Sequence, residues 1–272
     1  LASPFRHTAR ALCTTLLVGL PAFSWAASDS ELRDALAAAR EQQWEQVDTR
    51  SIESHPLKGY VEYHRLRGQL PHLSPDRVQG FINQYADSPL AVWMRGQAIA
   101  KYGHAGRYND LLAVADGEPA GTARQCYYYT ALLATQPQQA SEAGLNLWRT
   151  GSSQPDACDP LFNRLRANGT IDATAIWERK MLAWQAGETR LSNYLGGLLS
   201  GQWQTALDTI DSVTNSSHTI TQAPSCLGPE CAATASFYQA AMQRFTREDT
   251  PAAFAAWQTL SPRLNLLPSD RA

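Results

Sequence analysis

The sequence predicts an all-α fold, an irregular α-superhelix in which helical hairpins stack as a solenoid. Three observations predict it. Apolar residues recur at the spacing of a helix face, as in Leu32, Leu36 and Ala39. Capping residues and prolines precede such stretches, and glycines follow them. The apolar–polar alternation of a strand is almost absent, so we expect about eleven or twelve helices and no strand.

The predicted helix starts follow from capping chemistry. Ser28 and Glu31 have the spacing of a capping box, in which each side chain accepts a hydrogen bond from the other residue's backbone N–H. Later starts place a proline in the first helical turn, where a backbone N–H would have no helical acceptor. These later starts are Ser74-Pro75, Ser88-Pro89, Asp159-Pro160 and Thr250-Pro251.

The predicted helix ends follow from glycine, which can adopt the left-handed conformation that terminates a helix. Between starts and ends, the segments 43–47, 106–112 and 201–207 share a pattern in which an aromatic residue opens a helix after a turn. Stacked hairpins need such a repeat, because each pair buries its apolar face against the next pair. The glycines expected to end helices are Gly103, Gly151, Gly169 and Gly187.

The first 26 residues have the pattern of a secretory signal peptide. Arg6 and Arg10 precede a short apolar core, and Ser24-Trp25-Ala26 predicts cleavage before Ala27. We therefore expect an exported chain that is not held in a membrane after cleavage. The remaining residues are predicted to form a superhelical domain at 27–213, a polar loop with a local cysteine pair at 214–231, and a truncated continuation of the superhelix at 232–272.

Charge argues against nucleic acid as a partner. The formal net charge is −2, and no block of like charge occurs, whereas nucleic acids and anionic membranes attract a basic face. No cofactor and no metal are expected either. His55, His64 and His72 form no ligand pair on one helix turn, and prolines interrupt the segment.

The cysteines predict disulfides. The chain has 5 cysteines, and all except Cys13 lie beyond the predicted signal peptide. An even number in an exported chain favours bridges, and of the three possible connectivities the spacing favours Cys126–Cys158 with Cys226–Cys231. The alternative is a four-cysteine zinc site, against which the absence of C-x-x-C spacing and of paired histidines argues.

Several motifs in one order resemble the N-terminal superhelical, U-shaped domain of the soluble lytic murein transglycosylases. The resemblance runs from residue 28 to about residue 200. It implies a periplasmic protein that contacts peptidoglycan glycan strands and carries a Cys126–Cys158 bridge. The family reaction that it implies forms 1,6-anhydromuropeptides. The motifs lie at residues 55–63, 85–91, 125–128, 148–162, 177–179 and 182–187.

The sequence offers no catalytic residue. No nucleophile elbow, phosphate loop or metal-ligand pair is present. Glu53-Ser54 matches the Glu-Ser pair that marks the catalytic acid of that family, but the residues around it resemble an early superhelical segment instead. The family's Gly-Leu-Met-Gln and Tyr-Asn-Ala-Gly motifs are also missing, so we expect no residue here to act as the glycan-cleaving acid.

The residues that would bind a substrate remain unknown from sequence. Indole rings can stack on sugar rings, yet most of the tryptophans lie beside apolar residues, as Trp93 lies on the stripe of Leu90, Met94 and Ala98. We therefore expect about four of five rings to be core residues. The tryptophans considered are Trp93, Trp148, Trp177, Trp184 and Trp203.

Two functions follow as expectations. The first is the scaffold and glycan-contact part of a lytic murein transglycosylase, not catalytic by itself. The second is a free-standing periplasmic helical-repeat adaptor that binds a protein partner. In the first, the chain would meet its own missing C-terminal domain or associate with itself, because the open end of a solenoid exposes apolar surface.

Overall fold

The computed structural model describes residues 28–264, and within them every regular element is helical. The predicted all-α fold class is confirmed. The signal peptide predicted at residues 1–26 lies outside the described residues. The described part contains thirteen α-helices rather than eleven or twelve: α1 Asp29–Arg40, α2 Gly59–Gln69, α3 Pro75–Gln84, α4 Pro89–His104, α5 Tyr108–Val114, α6 Thr122–Leu132, α7 Pro137–Trp148, α8 Asp159–Ala167, α9 Ala173–Gln185, α10 Thr189–Gly196, α11 Gln204–Asn215, α12 Thr234–Glu248 and α13 Thr250–Leu260.

The described residues divide into two compact units, with the boundary between Glu62 and Tyr63. The first unit has a small core of its own beneath α1. The side chains on the predicted face of α1 are buried there, together with residues from the turns that follow the helix. This core consists of Leu32, Ala35, Ala39, Ile52 and Val61.

In the second unit, helices pack mainly on their neighbours in sequence. The packed pairs include α3 with α4, α4 with α5, α6 with α7, α9 with α10, and α12 with α13. A continuous apolar core runs from Cys126 to Leu264. This succession of neighbouring contacts is the arrangement that a solenoid of hairpins requires, because each pair buries its apolar face against the next.

The helix starts show which of the predicted capping residues occupy the cap position. Ser28 accepts a hydrogen bond from the backbone N–H of Glu31 at 3.3 Å, and the N–H of Ser28 donates to Glu31 at 2.9 Å, so the predicted capping box is confirmed. Ser74 and Ser88 cap α3 and α4 as predicted. The other two starts lie one residue earlier: Cys158 and Asp249 occupy the cap positions of α8 and α13.

The glycine signals were right at two of four positions. Gly169 and Gly187 have φ of 81° and 77°, in the left-handed region that ends a helix. Gly103 lies inside α4, and Gly106, with φ of 70°, follows that helix instead. Gly151 is not left-handed either. Both of these glycines are positions of close packing, Gly103 against the Tyr127 ring and Gly151 against a backbone carbonyl of α9.

Residues 214–231, predicted as a polar loop, include two short 3-10 turns, Ser217–Gln222 and Pro229–Cys231. Ile220 and Leu227 within this segment are fully buried in the core of the second unit. The segment therefore contributes apolar side chains to the fold. The predicted domain boundaries at 26, 213 and 231 stay predictions. Across residues 28–264, no helix is both long enough and apolar enough to cross a bilayer.

Candidate functional site

Glu53, the sequence candidate for a catalytic acid, lies in a run of turns between α1 and α2. Its side chain is exposed, and its backbone N–H donates to the carbonyl of Arg50 at 3.3 Å. A carboxylic acid stays protonated near neutral pH when it lies in an apolar pocket. The solvated position of Glu53 provides no such pocket, and Glu142 and Glu178 are exposed as well.

The three histidines considered as metal ligands lie in different environments. His55 is buried, with 8% of its surface exposed; its Nε2 lies 3.2 Å from Oδ1 of Asp29, and its Nδ1 accepts the N–H of Leu57 at 3.0 Å. It therefore holds the turns of the first unit together. His64 contacts the Tyr63 ring, and His72 closes a 3-10 turn. Within residues 28–264, no three His, Cys, Asp or Glu side chains converge on one point.

The four cysteines pair in the structure as Cys126 with Cys158 and Cys226 with Cys231. Cys126 on α6 and Cys158 before α8 have Cα atoms 4.8 Å apart, and both are fully buried. This bridge joins the two ends of a segment that contains all of α7. The second bridge closes a short loop ahead of α12, and there both cysteines are exposed.

The tryptophans divide into core and surface. Trp148, Trp177, Trp184 and Trp203 are buried, with 7% or less of each residue exposed. Three of them donate the indole N–H to an acceptor in another segment of the chain, as buried indoles usually do. Trp93 differs, because 48% of it is exposed although Leu90 and Met94 on the same helix are buried.

Trp93 is the centre of the candidate binding surface, which we call the α4 aromatic surface and define as Val92 and Trp93, with the buried Tyr63 ring of α2 against Trp93. Tyr63 is buried, and its ring centroid lies 6.0 Å from that of Trp93 at an interplanar angle of 62°. Val92 is 67% exposed. Desolvation raises the pKa of Tyr63, and its ring packs edge-on against the Trp93 indole. An exposed, braced indole can stack on the apolar face of a sugar ring.

A buried cation that the sequence did not reveal lies between α7, α8 and α9. The guanidinium carbon of Arg179 lies 4.2 Å from the Trp148 ring centroid and 5.4 Å from that of Phe162. Its Nη2 donates to the carbonyl of Ser152 at 3.3 Å, while its Nε is buried without a hydrogen-bond acceptor. Desolvation lowers the pKa of Arg179 to about 10, so the cation persists at neutral pH and its attraction to the two rings ties the helices together.

Lys180, the next residue, is also buried. Its Nζ donates to the backbone carbonyl of Ser192 at 3.1 Å and to the hydroxyl of Ser192 at 3.2 Å. Burial lowers the pKa of Lys180. Glu178 is exposed, and the two cations that follow it contribute to helix packing.

Comparison with known proteins identifies the relatives of this helical array. No protein-family model matches the chain. The soluble lytic murein transglycosylase of Escherichia coli K12 is 33% identical over 170 residues, which is 62% of this chain and 26% of that protein. The Salmonella typhimurium protein of the same name is 33% identical over 165 residues, 60% of this chain and 26% of its own length. The chain is a relative of the soluble lytic murein transglycosylases.

Solved structures of lytic transglycosylases show the same arrangement of helices. The 70 kDa soluble lytic transglycosylase Slt70 of Escherichia coli superposes with a TM-score of 0.71 at 27% identity, over 89% of this chain and 39% of Slt70. An inactive variant of the lytic transglycosylase Slt of Pseudomonas aeruginosa, 22% identical, has the same fold with a TM-score of 0.74, over 90% of this chain and 40% of that protein. The predicted superhelical fold is thereby confirmed.

The match is partial along the relatives. The chain spans about a quarter of the length of the curated lytic transglycosylases it matches, 26%, and corresponds to a helical part of them. The 70 kDa soluble lytic transglycosylase has also been crystallised in complex with bulgecin A, and the chain matches that structure at 27% identity with a TM-score of 0.70.

Proposed function

We propose that this chain is the helical, glycan-contacting part of a periplasmic lytic murein transglycosylase that takes part in peptidoglycan turnover, and that it is not catalytic by itself. The observation that carries the proposal is its 33% identity over 170 residues to proteins named soluble lytic murein transglycosylase. The reaction we associate with the longer relatives forms 1,6-anhydromuropeptides. Export by a signal peptide within residues 1–26 is part of the same proposal.

The environment of the carboxylates supports a role other than bond cleavage. Cleavage of a glycosidic bond needs a protonated acid beside the leaving oxygen, and burial in an apolar pocket is how enzymes keep such an acid protonated. Glu53 is exposed in a turn. We therefore propose that residues 28–264 hold and position glycan rather than protonate it.

The α4 aromatic surface is the proposed point of glycan contact. Trp93 offers half of its surface to solvent and is braced from one side by Tyr63. The rings of N-acetylated sugars have apolar C–H faces that stack on an indole and polar edges that stay hydrated. Because an exposed aromatic anchor of this kind commonly supplies more than about 1 kcal/mol, its truncation is expected to weaken binding about tenfold.

The test is incubation of the purified chain with peptidoglycan sacculi. Three proteins are compared: the wild type, Trp93→Ala, and a control, Tyr194→Ala, which removes a 57% exposed aromatic side chain from α10. Two quantities are scored, namely the fraction of protein pelleted with the sacculi and the release of 1,6-anhydromuropeptides detected by mass spectrometry.

Pelleting of the wild type and of Tyr194→Ala, with weakened pelleting of Trp93→Ala and no anhydro product, is the expected result. Equal pelleting of all three proteins would place the contact elsewhere. Release of anhydromuropeptides by this chain would overturn its non-catalytic role. Failure of the wild type to pellet would favour the protein-binding adaptor instead.

A further inference from the structure

The loop closed by Cys226 and Cys231 differs from the other bridge in its exposure. Cys226 and Cys231 are both exposed, and their Cα atoms lie 4.6 Å apart. Cys126 and Cys158 are each 0% exposed. Thiol–disulfide exchange needs an attacking thiolate to reach one sulfur of the bridge. The exposed loop therefore meets a requirement that the buried bridge does not meet.

The same loop holds backbone strain. Gly228, Glu230 and Cys231 have φ of 71°, 50° and 64°. Glycine adopts this left-handed region freely, but a residue with a Cβ pays a steric cost there. Two such residues in succession, with Cys231 itself one of them, oppose the closed loop. Opening the sulfur–sulfur bond would let Glu230 and Cys231 leave that conformation, so the strain favours the reduced state.

The base of the loop is nevertheless fixed by contacts that do not involve sulfur. Leu227 is fully buried; its N–H donates to the hydroxyl of Thr234 at 2.9 Å, and its carbonyl accepts the N–H of Ala233 at 2.9 Å. A Cβ added at Gly228 would lie 3.2 Å from the Trp203 ring, so this glycine sits close against the core. These contacts would keep the two cysteines near each other after reduction, and the bridge could form again.

From these three observations we propose that Cys226 and Cys231 form a reversible dithiol–disulfide exchange site on the surface of the second unit. Its partner by chemical class is a dithiol, such as the active-site cysteine pair of a thiol–disulfide oxidoreductase. The proposal is independent of glycan binding. The loop is the target of attack, because the charged side chain between its cysteines is the carboxylate of Glu230, whereas attacking thiolates are stabilised by positive charge.

The exchange balances in two steps. A thiolate of the partner attacks one sulfur of the Cys226–Cys231 bond, which breaks; a mixed disulfide forms, and the other cysteine leaves as a thiolate that takes up a proton. The partner's second thiol, as its thiolate, then attacks the mixed disulfide. The partner becomes a disulfide, and the loop becomes two thiols after gaining two electrons and two protons. Oxidation of the loop is the reverse sequence.

The experiment equilibrates the purified full chain with mixtures of reduced and oxidised glutathione. Free thiols are then alkylated, and each cysteine pair is quantified by peptide mass mapping. We expect the Cys226–Cys231 pair to titrate between its two states while Cys126–Cys158 stays oxidised, and to close again when oxidised glutathione is restored. Reduction of both pairs over one range, or a loop that does not close again, would overturn the proposal.

Two variants separate the contributions. Glu230→Asn places at φ 50° a residue that tolerates the left-handed region, so reduction should need a glutathione ratio about threefold more reducing. Leu227→Ala removes the buried anchor, so loop closure after reduction should slow about tenfold. An unchanged midpoint for Glu230→Asn would refute the strain argument, and unchanged closure in Leu227→Ala would refute pre-organisation by the core.

Discussion

Gly103→Ala tests whether the close contact between α4 and α6 requires glycine at this position. Gly103 is buried in the last turn of α4. A Cβ added there would lie 2.5 Å from Cβ of Tyr127 and 2.6 Å from its Cδ2. Packed atoms do not approach so closely. Because Cβ of Tyr127 is attached directly to the backbone of α6, the clash can be relieved only by separating the two helices.

The expected magnitude follows from two opposing effects. Overpacking a filled core costs about 1–3 kcal/mol, and a clash with atoms next to the backbone belongs at the upper end of that range. Replacing glycine by alanine inside a helix returns about 1 kcal/mol. We therefore expect Gly103→Ala to lower the free energy of unfolding by about 2 kcal/mol.

The matched control is Gly80→Ala in α3, since no atom lies within 4 Å of a Cβ added at Gly80. That variant should gain about 1 kcal/mol. Both positions belong to the second compact unit, so one unfolding transition can report on both. The assay is urea-induced unfolding followed by far-UV circular dichroism, with the urea midpoint and the slope fitted separately.

A Gly103→Ala variant as stable as Gly80→Ala would refute the packing argument. A double-mutant cycle tests it further. Tyr127→Gly removes the whole side chain that the new methyl group would strike, Cβ included, so adding Gly103→Ala to that variant should cost much less than adding it to the wild type. Equal costs in the two backgrounds would mean that Tyr127 is not the source of the effect.

Three further predictions concern stability and association. Burial raises the pKa of Tyr129 to about 12, above its ordinary 10.0, with a hydrogen bond to Glu118 adding to the shift. The contribution of the neutral Tyr129 to folding stability is therefore fully present below pH 10 and lost as the pH rises toward 12. Urea unfolding across that range should show a shallower loss of stability for Tyr129→Phe than for the wild type. An equally steep loss in that variant would contradict the assignment. Replacing Cys126 and Cys158 together by serine opens a loop of sequence separation 32 and should cost about 3–4 kcal/mol in the same assay, so an unchanged midpoint would count against this bridge. Phe254 is 62% exposed on α13. We expect the wild type to self-associate at micromolar concentration, and Phe254→Ser to be more monomeric, as measured by size exclusion with light scattering. A monomeric wild type would exclude this contact.

The parts of the fold predicted from sequence are those that depend on neighbours along the chain. Ser28, Ser74 and Ser88 begin helices because their hydroxyls bond N–H groups two or three residues away. Gly169 and Gly187 end helices because the left-handed turn is local. All the residues of such a capping pattern lie within one helical turn, so a short stretch of sequence is enough to predict it.

The features of the fold that could not be predicted from sequence depend on contacts between segments that are distant along the chain. Gly103 follows an apolar stretch just as Gly169 does, but its reason is a ring on α6 that a local reading cannot place. Trp93 has apolar neighbours at helical spacing and is nevertheless exposed, because a helix face is buried only where another helix covers it. Arg179 is a buried cation, and its guanidinium group is stabilised there by the rings of Trp148 and Phe162.

The buried tryptophans contrast with the exposed one, for which we propose a role in glycan contact. The indole N–H of Trp148 donates to the carbonyl of Ala175 at 3.0 Å, that of Trp177 to the hydroxyl of Ser236 at 2.9 Å, and that of Trp184 to the hydroxyl of Thr214 at 2.9 Å. The acceptors lie 27, 59 and 30 residues away in sequence. Each indole thus fixes one segment against a distant one while its ring fills the core. Trp93 keeps half of its surface in solvent, so core packing alone does not account for a side chain of this size on α4. A change of Trp93 should therefore reduce glycan binding far more than stability, whereas a change of Trp148 should do the opposite.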